Sequence, residues 1–242
     1  MERKSIYVAG PAEFLKMPSE YQELLVHQLR AHVEGELTGA DDYLQLFFPM
    51  APNAFERKVC CERAAEEMDH YIRGAQVLDA IGVDTHHMLQ QAFNEREHYR
   101  TEGVRSVESW AQRGLFSFIG EAAVLSIIEE MAESSYKPVA EMCRPIIIDE
   151  YIHVAQGFRI VKELCETEEG RKEVNDILPK SWAMTLDLFG KRDSERSRLY
   201  VSWGLRKYQN EEARQIFCDR TIPKLAALGL DPGDVGHLRK FM

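Results

Sequence analysis

Two Glu-x-x-His patterns combine side chains that bind transition metals with the spacing of one helical turn. They are Glu67-Met-Asp-His70 and Glu150-Tyr-Ile-His153, and both lie in segments whose apolar residues recur with helical periodicity. Residues three apart on a helix are neighbours, so the carboxylate and the imidazole of one pair can reach the same metal ion. Each pair therefore predicts half of a metal site.

A glutamate on the apolar face of another helix accompanies each pair. Glu36 precedes Glu67 by 31 residues and Glu121 precedes Glu150 by 29 residues, which indicates one helical-hairpin design used twice. In two-metal carboxylate bundles, two helices each supply one Glu and the other two each supply a Glu-x-x-His pair. The six predicted ligands of two metal ions are Glu36, Glu67, His70, Glu121, Glu150 and His153.

The alternative interpretation is that these residues form salt bridges on the protein surface. Both pairs lie on the apolar stripes of their helices, and burying carboxylates and imidazoles without a counter-ion would cost too much free energy. Metal ligation is therefore the better interpretation. A third pair, Glu95-Arg-Glu-His98, lies in a polar segment without apolar periodicity, and we interpret it as accidental.

Three further residues are expected beside the ligands. An acidic residue precedes each ligating glutamate of the two pairs, and a metal-bound histidine needs an acceptor at its other ring nitrogen. We predict that Glu66 orients His153 and that Asp149 orients His70, the alternative being two exposed charges. His32 lies one helical turn before the ligand of the first helix and could line the site, although a hydrogen-bonded core histidine is the simpler interpretation.

Long periodic segments predict the helices that must position these side chains. Four bundle helices are expected at residues 20–46, 54–81, 109–134 and 138–165, with residues 83–107 as a long crossover. Pro145 is expected to kink the fourth helix or to break its hydrogen bonding. Shorter helices are expected at residues 168–177, 180–190, 194–208 and 210–227.

The predicted fold class is therefore all-α, with almost no strand. The expected architecture is a ferritin-like four-helix bundle at residues 19–166, preceded by an N-terminal segment, 1–18, and followed by a C-terminal helical extension, 167–242, packed on the bundle. This arrangement places the two predicted half-sites opposite each other in the bundle core.

Composition excludes several classes of protein. The 242 residues, 45% hydrophobic and 29% charged, predict one large globular domain or at most two. No apolar run is long enough for a membrane span and no signal-peptide pattern begins the chain, so a cytoplasmic protein is expected. A net charge of −10 disfavours nucleic-acid and membrane partners. The five cysteines form no C-x-x-C pair, which argues against a zinc ribbon or an iron–sulfur cluster.

Four segments resemble one enzyme family. They are HVEGEL at 32–37, ERAAEEMDH at 62–70, DEYIHVAQGF at 149–158 and WGLRKYQNEEARQIFCDRTIPKLAALGL at 203–230. From about residue 20 to about residue 235, the chain resembles the catalytic A subunits of bacterial multicomponent phenylacetyl-CoA epoxidases. The family's metal ligands fall on the six residues named above, with Glu121 where the family carries Asp.

This resemblance implies a non-haem di-iron monooxygenase, with two iron ions as cofactors and O₂ as co-substrate. Such an enzyme would insert one oxygen atom into an aromatic or unsaturated acyl-CoA-type substrate. The sequence has neither a G-x-G-x-x-G loop nor iron–sulfur cysteine spacing, which indicates a separate reductase. Whether the chain forms a homodimer or requires a structural partner subunit stays open.

Three other functions could use the same bundle. A ferritin-like di-iron oxidase or ferroxidase needs the same ligands but little beyond the bundle, whereas this chain adds an aromatic-rich extension. A hydroxylase of another small molecule is a further alternative. A non-catalytic subunit would have lost ligands that are all present here. If the substrate is a coenzyme A thioester, its phosphates need basic residues, for which Arg206 and Lys207 in the extension are the candidates. The alternative for these two residues is a solvated surface.

Overall fold

The described residues of the computed structural model, 6–92, 95–96 and 107–241, are mainly α-helical. The only β-type pairing among them is an isolated bridge between Val8 and Tyr136. The all-α prediction is therefore confirmed. None of the described helices combines the length and the apolar content that a membrane span requires. His98 and much of the predicted crossover lie outside the described residues.

The first hairpin pairs two long helices. After the short α1, Pro11–Phe14, the chain forms α2, Ser19–Asp42, which continues through a π-helical segment, Tyr43–Phe47, into α3, Phe48–Met50. Helix α4, Ala54–Ala80, then packs against α2. The predicted helix at 20–46 therefore extends further than expected and changes its hydrogen bonding before it ends.

The second hairpin repeats this design. Helix α5, Trp110–Leu115, continues through a second π-helical segment, Phe116–Gly120, into α6, Glu121–Met131. Helix α7, Lys137–Leu164, packs against this whole run. Pro145 lies inside α7 and does not end it, so the expected interruption does not divide the helix. In each hairpin the first helix contains a π-helical segment, a feature that occurs frequently at functional sites.

The extension contains fewer helices than the sequence pattern predicts. It consists of α8, Glu168–Asp187, α9, Glu195–Ser202, and α10, Asn210–Ala227. The predicted helices at 168–177 and 180–190 are one helix, and Pro179 lies within it. The predicted helix at 194–208 is too long, because Gly204 adopts a φ of 69° soon after Ser202 and turns the chain.

The extension packs against the bundle through shared apolar clusters. Trp182 and Phe217 stack with ring centroids 5.3 Å apart and belong to the same cluster as Leu115 and Phe118 of the second hairpin. Trp203 instead joins a cluster to which both hairpins contribute, for example through Leu25 and Ile146. These aromatic residues of the extension are therefore core residues. The division of the chain at residue 166 stays a prediction.

Glu130 fixes the start of the segment 203–230, which we call the tail, to α6. This glutamate is 4% exposed, and its Oε1 accepts a hydrogen bond from Arg206 Nη2 at 3.0 Å. Its Oε2 accepts the backbone N–H groups of Lys207 and Tyr208 at 3.1 and 3.0 Å. One buried carboxylate thus satisfies three donors of the segment between α9 and α10.

Gly157 allows α7 to approach the second π-helical segment. A Cβ atom at this position would lie 2.2 Å from the backbone nitrogen of Phe118 and 2.4 Å from the carbonyl carbon of Ser117. Both are backbone atoms, so a side-chain rotation cannot relieve the contact. Gly157 therefore sets the distance between the helix that carries Glu150 and the segment that precedes Glu121.

We expect Gly157→Ala to lower the free energy of unfolding by about 3 kcal/mol, because the added methyl group forces two backbones apart. Urea denaturation of the variant measures this loss. Gly10→Ala is the control, since a Cβ there meets nothing within 4 Å, and its effect should stay within about 0.5 kcal/mol. Equal effects of the two substitutions would contradict the interpretation of the close contact.

Candidate metal centre

The structure brings the six predicted ligands into one buried cluster between α2, α4, α6 and α7. The ligands form two overlapping groups, and within each group the ligating atoms lie within 4.8 Å of one another. The first group is Glu36, Glu67, His70 and Glu150, and the second is Glu67, Glu121 and His153. Glu67 belongs to both groups. The cluster could therefore hold two metal ions that share Glu67.

Both histidines present Nδ1 to the cluster and Nε2 to an outer carboxylate. His70 Nδ1 lies 3.2 Å from Glu36 Oε2, and its Nε2 lies 3.2 Å from Asp149 Oδ2. His153 Nε2 lies 2.8 Å from Glu66 Oε2. The contacts of His70 with Asp149 and of His153 with Glu66 are the two hydrogen bonds that the sequence predicts. They hold both imidazole rings with the same nitrogen directed at the cluster.

The carboxyl groups of Glu36, Glu67 and Glu150 differ in the direction of their pKa shifts. Burial raises the pKa of Glu67 to about 8, and burial together with the charge of Glu67 raises the pKa of Glu150 well above its ordinary value. Burial also acts on Glu36, but the charges and hydrogen bonds of His32 and His70 together outweigh it and hold the pKa of Glu36 well below its ordinary value. Bare carboxylates at positions 67 and 150 are therefore unfavourable unless protons or cations compensate them.

Several buried atoms of the cluster lack hydrogen-bond partners among the described residues. They include Oε2 of Glu121 and Nδ1 of His153, which lies 3.3 Å from Glu67 Oε1 without a hydrogen bond. A buried donor or acceptor without a partner is unfavourable, and metal coordination would satisfy both atoms. Two divalent ions would also balance the four carboxylates. The residues therefore fit a two-metal centre.

A pocket leads to one side of this cluster. It has an empty volume of about 560 Å³, partly open to solvent, and contains Glu36, Glu67, Glu121 and Glu150 in its lining. Apolar and aromatic side chains form much of the rest, among them Tyr43, Phe47, Phe116 and Val124. The arrangement can admit an apolar group next to the carboxylates while limiting the access of water.

His32 lines the same pocket and contacts the first ligand. Its Nδ1 lies 2.9 Å from Glu36 Oε1, whereas its Nε2 is buried without a hydrogen-bond partner in the described part of the chain. His32 does not belong to either ligand group. His32 therefore lines the site, as the sequence suggested, and is placed as a hydrogen-bonded buried histidine and not as a member of either group.

Two residues near the cluster were not singled out from the sequence. The hydroxyl group of Tyr43 donates a hydrogen bond to Glu121 Oε1 at 2.8 Å, and Arg113 packs against the ring of Tyr43. Burial, followed by the charge of Glu121, raises the pKa of Tyr43 well above its ordinary value, so its hydroxyl stays a donor. The sequence feature that could have identified Tyr43 is its position two helical turns after Glu36, on the same face of the helix.

The predicted coenzyme A contacts lie elsewhere, in the tail. Arg206 is 9% exposed and is paired with Glu130, while Nζ of Lys207 lies 2.9 Å from Glu133 Oε1. Phosphate groups would therefore have to displace a carboxylate from either cation. Contact between these two residues and a coenzyme A thioester stays a prediction.

The fold and the cluster together define a ferritin-like helical bundle with a buried carboxylate–histidine centre that fits two metal ions. The chain belongs to the phenylacetic acid catabolic protein family, whose model matches residues 13–240. It is also similar to the A subunit of the 1,2-phenylacetyl-CoA epoxidase of Escherichia coli (strain K12). The two are 24% identical over 221 residues, which cover 90% of this chain and 71% of the relative.

Proposed function

We propose that the six clustered residues hold two iron ions and that the protein is a non-haem di-iron monooxygenase. The observation that carries this proposal is the pair of overlapping ligand groups, in which four buried glutamates and two buried histidines from four helices meet around Glu67. A bundle stabilised by packing alone would not place four carboxylates in its core, because each is costly to bury.

Bound iron would supply the electrons that activate O₂ for transfer of one oxygen atom to the substrate. The protein's own residues have three tasks. Glu66 and Asp149 orient the two histidines, the four glutamates would hold the metal ions, and the aromatic lining of the pocket limits the access of water to the reaction.

An aromatic or unsaturated acyl-CoA thioester is the proposed substrate. The E. coli relative is named as a subunit of an epoxidase of phenylacetyl-CoA, and the pocket of this chain is lined by Tyr43, Phe47 and Phe116, which suit an aromatic group. We further propose that a separate reductase supplies electrons and that a partner subunit takes part, since the relative is itself one subunit of an enzyme.

Single-turnover oxidation tests this function. Iron-loaded protein, reduced chemically, is mixed with oxygen-18-labelled O₂ and phenylacetyl-CoA, and the thioester is analysed by mass spectrometry. We expect one labelled oxygen atom in the product, and none with Glu150→Ala. Iron oxidation without any change of the thioester, also in the presence of reductase and partner subunits, would instead favour a ferroxidase.

We expect Asp149→Ala to weaken iron binding by about 10–100-fold, because His70 loses the acceptor at Nε2 that fixes its ring. Iron titration of the metal-free protein measures the change. Asp69→Ala is the matched control: Asp69 is exposed and adjacent to His70 in sequence, and its removal should leave the affinity unchanged. Wild-type affinity of Asp149→Ala would show that this carboxylate is only a solvated charge.

A further inference from the structure

Tyr43 lies between a proposed metal ligand and a buried cation. Its hydroxyl group donates to Glu121 Oε1, while the guanidinium carbon of Arg113 lies 5.4 Å from the centroid of its ring. The rings of Phe47 and His153 contact the tyrosine edge-on, at centroid distances of 5.1 and 6.1 Å. Tyr43 is only 1% exposed, so bulk water does not compete for its hydroxyl group.

Among the described residues, Arg113 has no hydrogen-bond or ion-pair partner for its charge. Its side chain is completely buried, and Nε, Nη1 and Nη2 all lack hydrogen-bond partners among the described residues. The guanidinium carbon instead lies 5.3–5.6 Å from the ring centroids of Tyr43, Phe47 and Trp110. Attraction between the cation and these aromatic faces offsets part of the cost of burial. An apolar side chain would fill this position at lower cost, which points to a role beyond packing.

The two π-helical segments bring these groups together. Tyr43 is the first residue of the first segment, whereas Arg113 and Glu121 lie on either side of the second. The same helical run thus contacts Tyr43 twice, once at its ring and once at its hydroxyl group. Movement of the ring would therefore move the hydroxyl group away from Glu121.

We propose that Tyr43 is a positioning residue for Glu121 and that Arg113 acts through Tyr43 by holding its ring. The proposal rests on the proposed function, because it requires Glu121 to bind a metal ion. Since Tyr43 occupies Oε1 of Glu121, the buried and unpartnered Oε2 is the oxygen left for the metal. The hydroxyl group fixes which oxygen Glu121 presents and the direction in which it points.

Cobalt titration of the metal-free protein tests this proposal, with calorimetry giving the affinities and Co(II) absorption giving the ligand environment. Tyr43→Phe keeps the ring and removes only the hydroxyl group. We expect the affinity of one Co(II) site to fall about tenfold or more, while the other Co(II) site and the melting temperature stay close to those of the wild type. Glu121→Gln identifies the affected site, because it should weaken the same one.

Tyr21→Phe is the matched control. Tyr21 is a buried tyrosine of α2 whose hydroxyl group lies 3.1 Å from Ser135 Oγ, away from the cluster. Its loss should lower stability and leave both Co(II) affinities unchanged. Tyr43→Phe affinities within about twofold of the wild type, or equal weakening of both sites together with a lower melting temperature, would overturn the positioning role.

Arg113 variants test the second part of the proposal. Arg113→Met should weaken the same Co(II) site, and Arg113→Lys, which keeps a cation against the rings, should weaken it less. Because Arg113 acts through Tyr43, adding Arg113→Met to Tyr43→Phe should cause no further loss. Additive losses would refute the coupling between the two residues.

The same titrations separate this inference from the proposed function. If Glu121→Gln binds two Co(II) ions with wild-type affinities, the proposed ligand set is wrong. If Glu121→Gln weakens one site and Tyr43→Phe does not, the ligand set stands and only the positioning role fails.

Discussion

Replacing Glu67 with alanine should abolish binding of both iron ions, because this glutamate belongs to both groups of candidate ligands. The wild-type protein should contain about two iron ions per chain, and the variant about none, by elemental analysis and Mössbauer spectroscopy. Loss of any other glutamate of the cluster removes a ligand from only one group. Glu150→Ala should therefore weaken mainly one site.

Two control variants sharpen this experiment. Glu62→Ala removes an exposed glutamate from the same helix, and His98→Ala removes the histidine of the third Glu-x-x-His pair. Both should keep two irons. A wild-type content at or below one iron, unchanged in Glu67→Ala, would rule out the two-metal centre. Loss of iron in His98→Ala would show that the wrong pair had been assigned as accidental.

Replacing Glu130 with alanine should lower the free energy of unfolding by about 3–5 kcal/mol, because it leaves the cation of Arg206 buried without its partner. The backbone N–H groups of Lys207 and Tyr208 lose their acceptor as well. Urea denaturation measures the loss. The tail segment should then separate from α6 before the bundle unfolds.

The adjacent Glu129 provides the control for this variant. It pairs with Arg220, which is 56% exposed, so Glu129→Ala should cost about 1 kcal/mol or less. Glu130→Gln keeps an acceptor without the charge and should fall between the two alanine variants. Equal losses in Glu129→Ala and Glu130→Ala would show that burial of the ion pair has no special importance.

The cluster could be predicted from the sequence because its geometry is local. A Glu-x-x-His pair faces one direction on any regular helix, and the similar intervals from Glu36 to Glu67 and from Glu121 to Glu150 indicate two matching hairpins. The partners of the two histidines followed from the same reasoning. These contacts depend on helical periodicity and on a bundle core, both of which the apolar pattern reveals.

Contacts that depend on tertiary packing could not be predicted in this way. The hydrogen bond between Tyr43 and Glu121 joins residues 78 positions apart, and no local pattern marks the buried position of Arg113. The prediction of two helices on either side of Pro179 was wrong. Leu178 and Trp182, which flank the proline, belong to one apolar cluster, and the chain between them is a single helix, α8. Tertiary burial of these side chains outweighs the lost backbone hydrogen bond.

The second π-helical segment allows the helix before Glu121 to hold one additional residue without changing the direction of Glu121. A π turn holds about one residue more than an α turn, and one residue on a helix corresponds to a rotation of about 100°. Deletion of a single codon between positions 116 and 120 would therefore convert the π turn into an α turn and leave Glu121 directed at the cluster, whereas the same deletion in a regular α-helical stretch would rotate every later side chain by about 100°. An alignment of distant relatives that omits a one-residue gap at this place would therefore shift the candidate acidic ligand to a neighbouring column, although its side chain keeps the same direction.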